Sequence, residues 1–197
     1  MSNDSALPKA VWQAGQGLKI FKNVYAEQIQ QSCLDLLNRI PAEKYPVSFK
    51  RALADWCIWK YSTCSYVFSA MGKYPAKEES GEMHWGDKYA GRYYTLSAYE
   101  ILSKARSKKE LLAQSLQFDH VYERHWLVEQ LLERAAAPCA LKAKMIGCVL
   151  TREEHEALRR PGSNSGWVRY VNRHAHIVDI TQPEKPVGIQ RLIGAEL

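Results

Sequence analysis

No two cysteines of the 197-residue chain stand in C-x-x-C spacing, and the set, Cys33, Cys57, Cys64, Cys139 and Cys148, is odd in number. Scattered thiols of this kind supply neither a disulfide framework nor a zinc ribbon, so they are expected to be reduced and the chain cytoplasmic. Long apolar runs are missing as well. The best candidate, Ala135 to Leu150, is broken by Pro138, Lys142, Lys144 and Gly147, against the ~20 apolar residues that a bilayer requires. The opening MSNDSALPKAVWQAG lacks the charged, apolar, small-residue order of a secretory leader, so neither export nor a membrane partner is expected. Repeats and low-complexity tracts are absent, which excludes solenoids and linker arrays.

What remains is ordinary in bulk and uneven in detail. With 46% hydrophobic and 24% charged residues, the composition is that of a globular chain, and a single domain over 1–197 is expected. A chain of this length buries roughly 70% of its unfolded surface and needs no metal merely to fold. Lys and Arg exceed Asp and Glu by 27 to 21, a net charge of +6, a mild bias toward an anionic partner.

Along the chain, Val24, Ile29, Cys33, Leu36, Leu37 and Ile40 recur at helical spacing before Pro41 stops them, which predicts an amphipathic helix over 23–40. A longer aromatic helix is expected from Ser48 to Gly72, its Trp and Tyr residues serving as core rather than as base-stacking platforms. Residues 72–91 mix Pro, Gly and charge and read as a loop, with His84 and Asp87 as solvated polar groups rather than a metal pair. Thr95 or Ser97 can cap a helix running to Ala105. Ser107 with Glu110 forms a capping box for a helix over 108–114. Residues 1–115 are thus expected to be a mainly helical shell.

The stretch 116–160 carries the candidate chemistry. Leu116-Gln117-Phe118-Asp119-His120-Val121-Tyr122 alternates like a strand, helical segments follow, and Gly147 to Leu150 reads as a second strand. Thr151 with Glu154 then makes a T-x-x-E box that starts a helix bearing His155. Phosphodiester hydrolysis needs an activated water, a cation to offset charge building on the phosphate, and a fixed line of attack. If the strands pair and the helix packs across them, Asp119 and His155 can close on one divalent ion. His120, projecting to the other side of the strand, is then available as general base.

The order strand with Asp119-His120, strand, helix with His155 resembles the His-Me finger (HNH-like, ββα-metal) endonucleases. The matching residues are Phe118 to Leu127 and Gly147 to Leu158. The resemblance implies an α+β fold, mainly helical, with a small antiparallel β-hairpin and a following helix forming the ββα-metal finger. It implies Asp119 and His155 as metal ligands, His120 as base, and Mg2+ as the cation, with Mn2+ or Zn2+ as substitutes. No Asn lies between His120 and His155 to match the middle letter of HNH. Gln130 and Thr151 lie between them, and Asn164 and Asn172 come later.

Glu123 and His125 are close enough in sequence to join such a site, although His125 can equally serve to start the next helix. Two basic clusters, Lys104, Arg106, Lys108 and Lys109, then Arg159, Arg160, Arg169 and Arg173, are expected to grip phosphates of nucleic acid, DNA ahead of RNA. Residues 161–197 read as loop and strand, with His174 and His176 on one strand face in H-x-H spacing. The expected activity is therefore a metal-dependent endonuclease. The competing expectations are a non-catalytic helical module that binds nucleic acid or protein, and a module stabilised by zinc on His174 and His176.

Overall fold

The computed structural model describes residues 10–13, 18–69, 86–158, 166–171, 176–183 and 192–193. Helix α1 (Ala26–Arg39) buries Ala26, Ile29, Cys33, Leu34 and Leu37; of the predicted stripe Ile29, Cys33, Leu37 and Ile40 are buried, whereas Val24 and Leu36 are exposed. Pro41 then turns the chain through a short 3-10 segment (Ile40–Ala42) into helix α2 (Val47–Thr63). The second helix ends at Thr63, well before Gly72. The residues that follow, Tyr66-Val67-Phe68-Ser69, form strand β3 instead. Their aromatic and β-branched side chains suit a pleated surface, and a partner strand is at hand: β2 (Lys19–Lys22) pairs with β3 antiparallel, and β1 (Ala10–Gln13) pairs with β2. Asn23 fastens the corner. Its side-chain amide donates to the Cys64 carbonyl at 2.8 Å, and its backbone N–H donates to the Ser65 carbonyl at 2.9 Å.

The second sheet positions the candidate site. It runs β5-β6-β4-β7, from β4 (Tyr93–Thr95), β5 (Leu116–His120), β6 (Gly147–Thr151) and β7 (Ile177–Asp179). Strands β5 and β6 are antiparallel, with Asp119 opposite Cys148 and His120 opposite Gly147, while β4 joins β6 in parallel. The fold is α+β and mainly helical, with one small antiparallel sheet and one mixed sheet. The stretch expected to be a helical shell thus also carries strands β1 to β4; β1 and β2 pair locally, whereas β3 and β4 find their partners far along the chain.

Helix α3 (Leu96–Lys104) starts at Thr95, whose hydroxyl accepts from the Ala98 N–H at 3.3 Å. Helix α4 (Lys108–Ala113) starts at the predicted Ser107 cap, with the Glu110 N–H donating to Ser107 Oγ at 3.1 Å. Between β5 and β6 the chain makes α5 (Arg124–Leu132) and α6 (Pro138–Leu141), and α5 packs Leu127, Val128 and Leu131 against α1 and α2. Helix α7 (Arg152–Leu158) leaves directly from β6, and α8 (Val168–Val171) covers the same face of the sheet.

Two apolar layers flank the second sheet, and a third cluster packs α1, α2, α5 and α6 together. On one face Tyr94 and Val149 pack with Leu18, Ile20, Phe68 and Leu102. On the other, Cys148, Leu150 and Ile177 pack with Leu158, Trp167 and Tyr170. Among the described residues no helix is long and apolar enough to cross a membrane.

Candidate functional site

The pleat of β5 alternates its side chains between the two layers. Gln117 and Asp119 share the α7–α8 face with Cys148 and Leu150, whereas Leu116, Phe118 and His120 share the opposite face with Val149. Helix α7 is aimed by its cap. The Glu154 N–H donates to Thr151 Oγ1 at 3.3 Å, and Glu154 Oε2 accepts from the Thr151 N–H at 2.9 Å, as the box predicts. Glu154 Oε2 also accepts from Thr95 Oγ1 at 2.6 Å, which ties the start of α7 to β4. One position on, His155 faces β5, with Nε2 3.9 Å from Asp119 Oδ1.

The other carboxylate oxygen is fully engaged. Asp119 Oδ2 accepts from Arg169 Nη2 and from the Tyr170 hydroxyl, the latter at 2.6 Å, and Arg169 also donates to the His120 carbonyl. Burial, reinforced by the negative charge of Asp119, pushes the Tyr170 hydroxyl well above its usual range, so it remains a donor. With Oδ2 anchored twice, Oδ1 is the oxygen turned to the imidazole. The Asp119 side chain is 12% exposed, that of His155 24% and that of Arg169 5%.

Cys148, directly across the ladder from Asp119, is sealed. Its thiol is pushed well up, first by burial and then by Asp119. Neither Trp167 nor Tyr170 was among the expected site residues. The available signal was the W-x-R-Y run, in which aromatic residues bracket a single arginine.

His120 does not join this site. The same alternation that brings Asp119 to His155 sends His120 to the opposite layer. There it lies between Trp59 (5.6 Å between ring centres) and Phe118 (5.2 Å), with its Nε2 2.8 Å from Ser62 Oγ. Ser62 Oγ also stands 2.8 Å from the Ile58 carbonyl and 3.0 Å from that of Trp59. A hydroxyl has one proton, and the helix carbonyls take it, so the imidazole donates from Nε2 to Ser62 Oγ. Burial first, then the charges of Arg124 and Arg169, push the His120 pKa down to about 3. The expectation that His120 activates the attacking water is therefore corrected. A ring that is buried, neutral and on the far side of the strand from Asp119 and His155 reaches no water there.

The remaining expected residues divide sharply. Arg169, expected to grip phosphate, is spent on Asp119 and the His120 carbonyl. Lys108 pairs with Asp87, whose other oxygen accepts from the Phe68 N–H at 3.0 Å, so Asp87 is a structural tie rather than a solvated group. Lys104, Arg106 and Lys109 are exposed, but α3 and α4 pack into the layer opposite the Asp119–His155 face. Glu123 and His125 are paired with each other at 3.2 Å, both well exposed at the start of α5, and neither contacts Asp119 or His155. Arg124, between them, reaches Asp55 at 2.9 Å and stacks 5.1 Å over the Trp59 ring. Thr151 caps α7. His176 is exposed. Arg159, Arg160, Arg173, His84, His174, Asn164 and Asn172 lie outside the described residues.

Asp119 and His155 fit a divalent cation in a limited sense. Bonds of about 2.1 Å set two ligand atoms roughly 3.0 Å apart at right angles and roughly 4.2 Å apart across the ion, and the observed 3.9 Å lies between the two. The doubly anchored Oδ2 is the kind of outer support that orients a ligating carboxylate. Among the described residues no group of three His, Cys, Asp or Glu converges. A pair of this kind would leave an ion's other positions to water and phosphate, unlike a closed structural zinc site. Compared with protein families, curated proteins and solved structures, the chain matches none.

Proposed function

We propose that the chain is a metal-dependent endonuclease, HNH-like in plan, that hydrolyses phosphodiester bonds of nucleic acid, DNA ahead of RNA. The observation that carries this reading is the approach of Asp119 Oδ1 to His155 Nε2, at 3.9 Å, from a strand and a helix distant in sequence. Asp119 and His155 would hold the cation, with Mg2+ favoured. That ion would neutralise charge on the phosphate and fix its orientation. Arg169 and Tyr170 hold the carboxylate in one rotamer, and the Thr151–Glu154 box holds the helix that presents His155. His120 supplies packing and neutrality beneath the strand and takes no proton.

The test is incubation of purified protein with supercoiled plasmid and with structured RNA, in Mg2+, in Mn2+ and in chelator. Metal-dependent nicking is expected, lowered at least about a hundredfold by Asp119→Asn and by His155→Ala. Nicking that survives both substitutions overturns the assignment. A second reading, a nucleic-acid-binding module without turnover, is favoured by the guanidinium of Arg169, which already offsets the charge of Asp119. Its signature is a retarded DNA band in every metal, no cleavage, and indifference to His155→Ala.

A further inference from the structure

A cavity of about 260 Å³ opens on the Phe118 face of the second sheet, away from the Asp119–His155 pair, and its chemistry is distinct from that pair's. Its lining among the described residues includes two cations, Arg92 and Lys142, and no carboxylate. Arg92 is fixed in place: Nε donates to Asp179 Oδ2 at 2.9 Å, Nη2 lies 2.9 Å from the same oxygen, and the guanidinium lies 5.1 Å over the Tyr93 ring. The Nη1 donors of the fork are not used by that pair. The Lys142 side chain, exposed at the rim, makes no ion pair or hydrogen bond with the described residues.

Gln30 supplies the complementary group. Its amide nitrogen donates to the Tyr61 carbonyl at 3.3 Å and to Ser65 Oγ at 3.2 Å. The amide is thereby fixed in orientation, and its Oε1 remains an acceptor. The rings of Tyr61, Tyr66 and Phe118 supply flat apolar wall. The volume exceeds the roughly 150 Å³ that holds one benzene ring and lies just below the usual range of roughly 300–1,000 Å³ for ligand sites. There is room to enclose one heterocycle, and a sugar and phosphate attached to it would reach the exposed cations at the mouth.

We infer that this cavity binds a single nucleotide unit, its heterocycle against the aromatic wall with an N–H edge on Gln30 Oε1, and its phosphate on Arg92 and Lys142. The unit can be a free nucleoside monophosphate or the phosphorylated end of a strand. Neither source depends on the cleavage reading, because binding here uses none of the residues assigned to the metal.

Titration calorimetry on the full chain tests it, using nucleoside monophosphates, the parent nucleosides, inorganic phosphate, benzoate, and a short single-stranded oligonucleotide with a 5′-phosphate. Saturable binding of at least one monophosphate is expected, about tenfold tighter than its nucleoside, the worth of one charge-assisted hydrogen bond. Lys142→Ala, a surface change that spares the fold, should weaken the monophosphate severalfold, with Arg92 still holding the phosphate, and leave the nucleoside unchanged. Gln30→Met should weaken both, with the thermal transition as its control. Tighter binding of the oligonucleotide identifies a strand end, and equal binding identifies the free nucleotide. Absence of monophosphate binding at millimolar concentration, equal binding of benzoate or phosphate alone, or an unchanged affinity in Lys142→Ala overturns the inference.

Discussion

Acidification should destabilise this protein through His120, and the size of the effect follows from its surroundings. The ring is 6% exposed, lies between Trp59 and Phe118, and faces the charges of Arg124 and Arg169, so its pKa falls from 6.5 to about 3. The unfolded chain binds a proton at this residue below about pH 6.5, and the folded chain does so only near pH 3. Stability contributed by the neutral ring is therefore complete above pH 6.5 and is lost as the pH falls toward 3. Between pH 7.5 and pH 5 the linkage integral comes to about 2 kcal/mol. For a chain of this length that is a drop of about 4–8 °C in Tm.

The assay is thermal and urea unfolding at both pH values for wild type and for His120→Gln, whose amide can still donate toward Ser62 but does not titrate. The variant should start lower, since it sacrifices ring contacts, and should lose about 2 kcal/mol less than wild type on acidification. Equal losses in the two proteins would refute the sequestered neutral imidazole. So would His120 ring resonances that titrate between pH 5 and 7.

Other substitutions probe the elements that build the site. Arg169→Leu leaves the carboxylate of Asp119 with Tyr170 as its one remaining hydrogen-bond donor, and should cost about 3 kcal/mol by urea unfolding; adding Asp119→Asn should recover part of it, and strict additivity would contradict the pairing. Gly147→Ala sets a methyl group against the ring of Phe118, so Phe118 must move off its rotamer and stability should fall by about 1–3 kcal/mol. Thr151→Ala removes the acceptor for the Glu154 N–H and should cost about 1 kcal/mol, with metal-dependent activity falling further than stability because α7 then presents His155 less firmly.

Much of the local structure was legible in the sequence because its causes are local. The apolar spacing before Pro41 gave α1. The boxes at Ser107 and Thr151 gave the starts of α4 and α7, and alternation gave β5. The facing of Asp119 and His155 was also readable, since a strand, a returning strand and a capped helix leave few ways to pack. The end of α2 was misread because Tyr66 to Ser69 also satisfies a helical pattern, and only the presence of β2 beside it makes it a strand. For the same reason the first sheet went unseen.

Sequence alone determined that Asp119 and His120 point to opposite sides of one strand, because a pleat alternates whatever surrounds it. It did not determine which side would be buried under what. The tertiary structure decided that α2 arrives over the Phe118 face and turns His120 into a neutral core residue. It decided that Arg169, fifty residues further along the chain, holds Asp119, and that α3 and α4 pack into the opposite layer. The physical reason is range. Periodicity and caps act over a few residues, whereas burial, and with it the protonation and pairing of a side chain, is set by whichever distant segment comes to cover it.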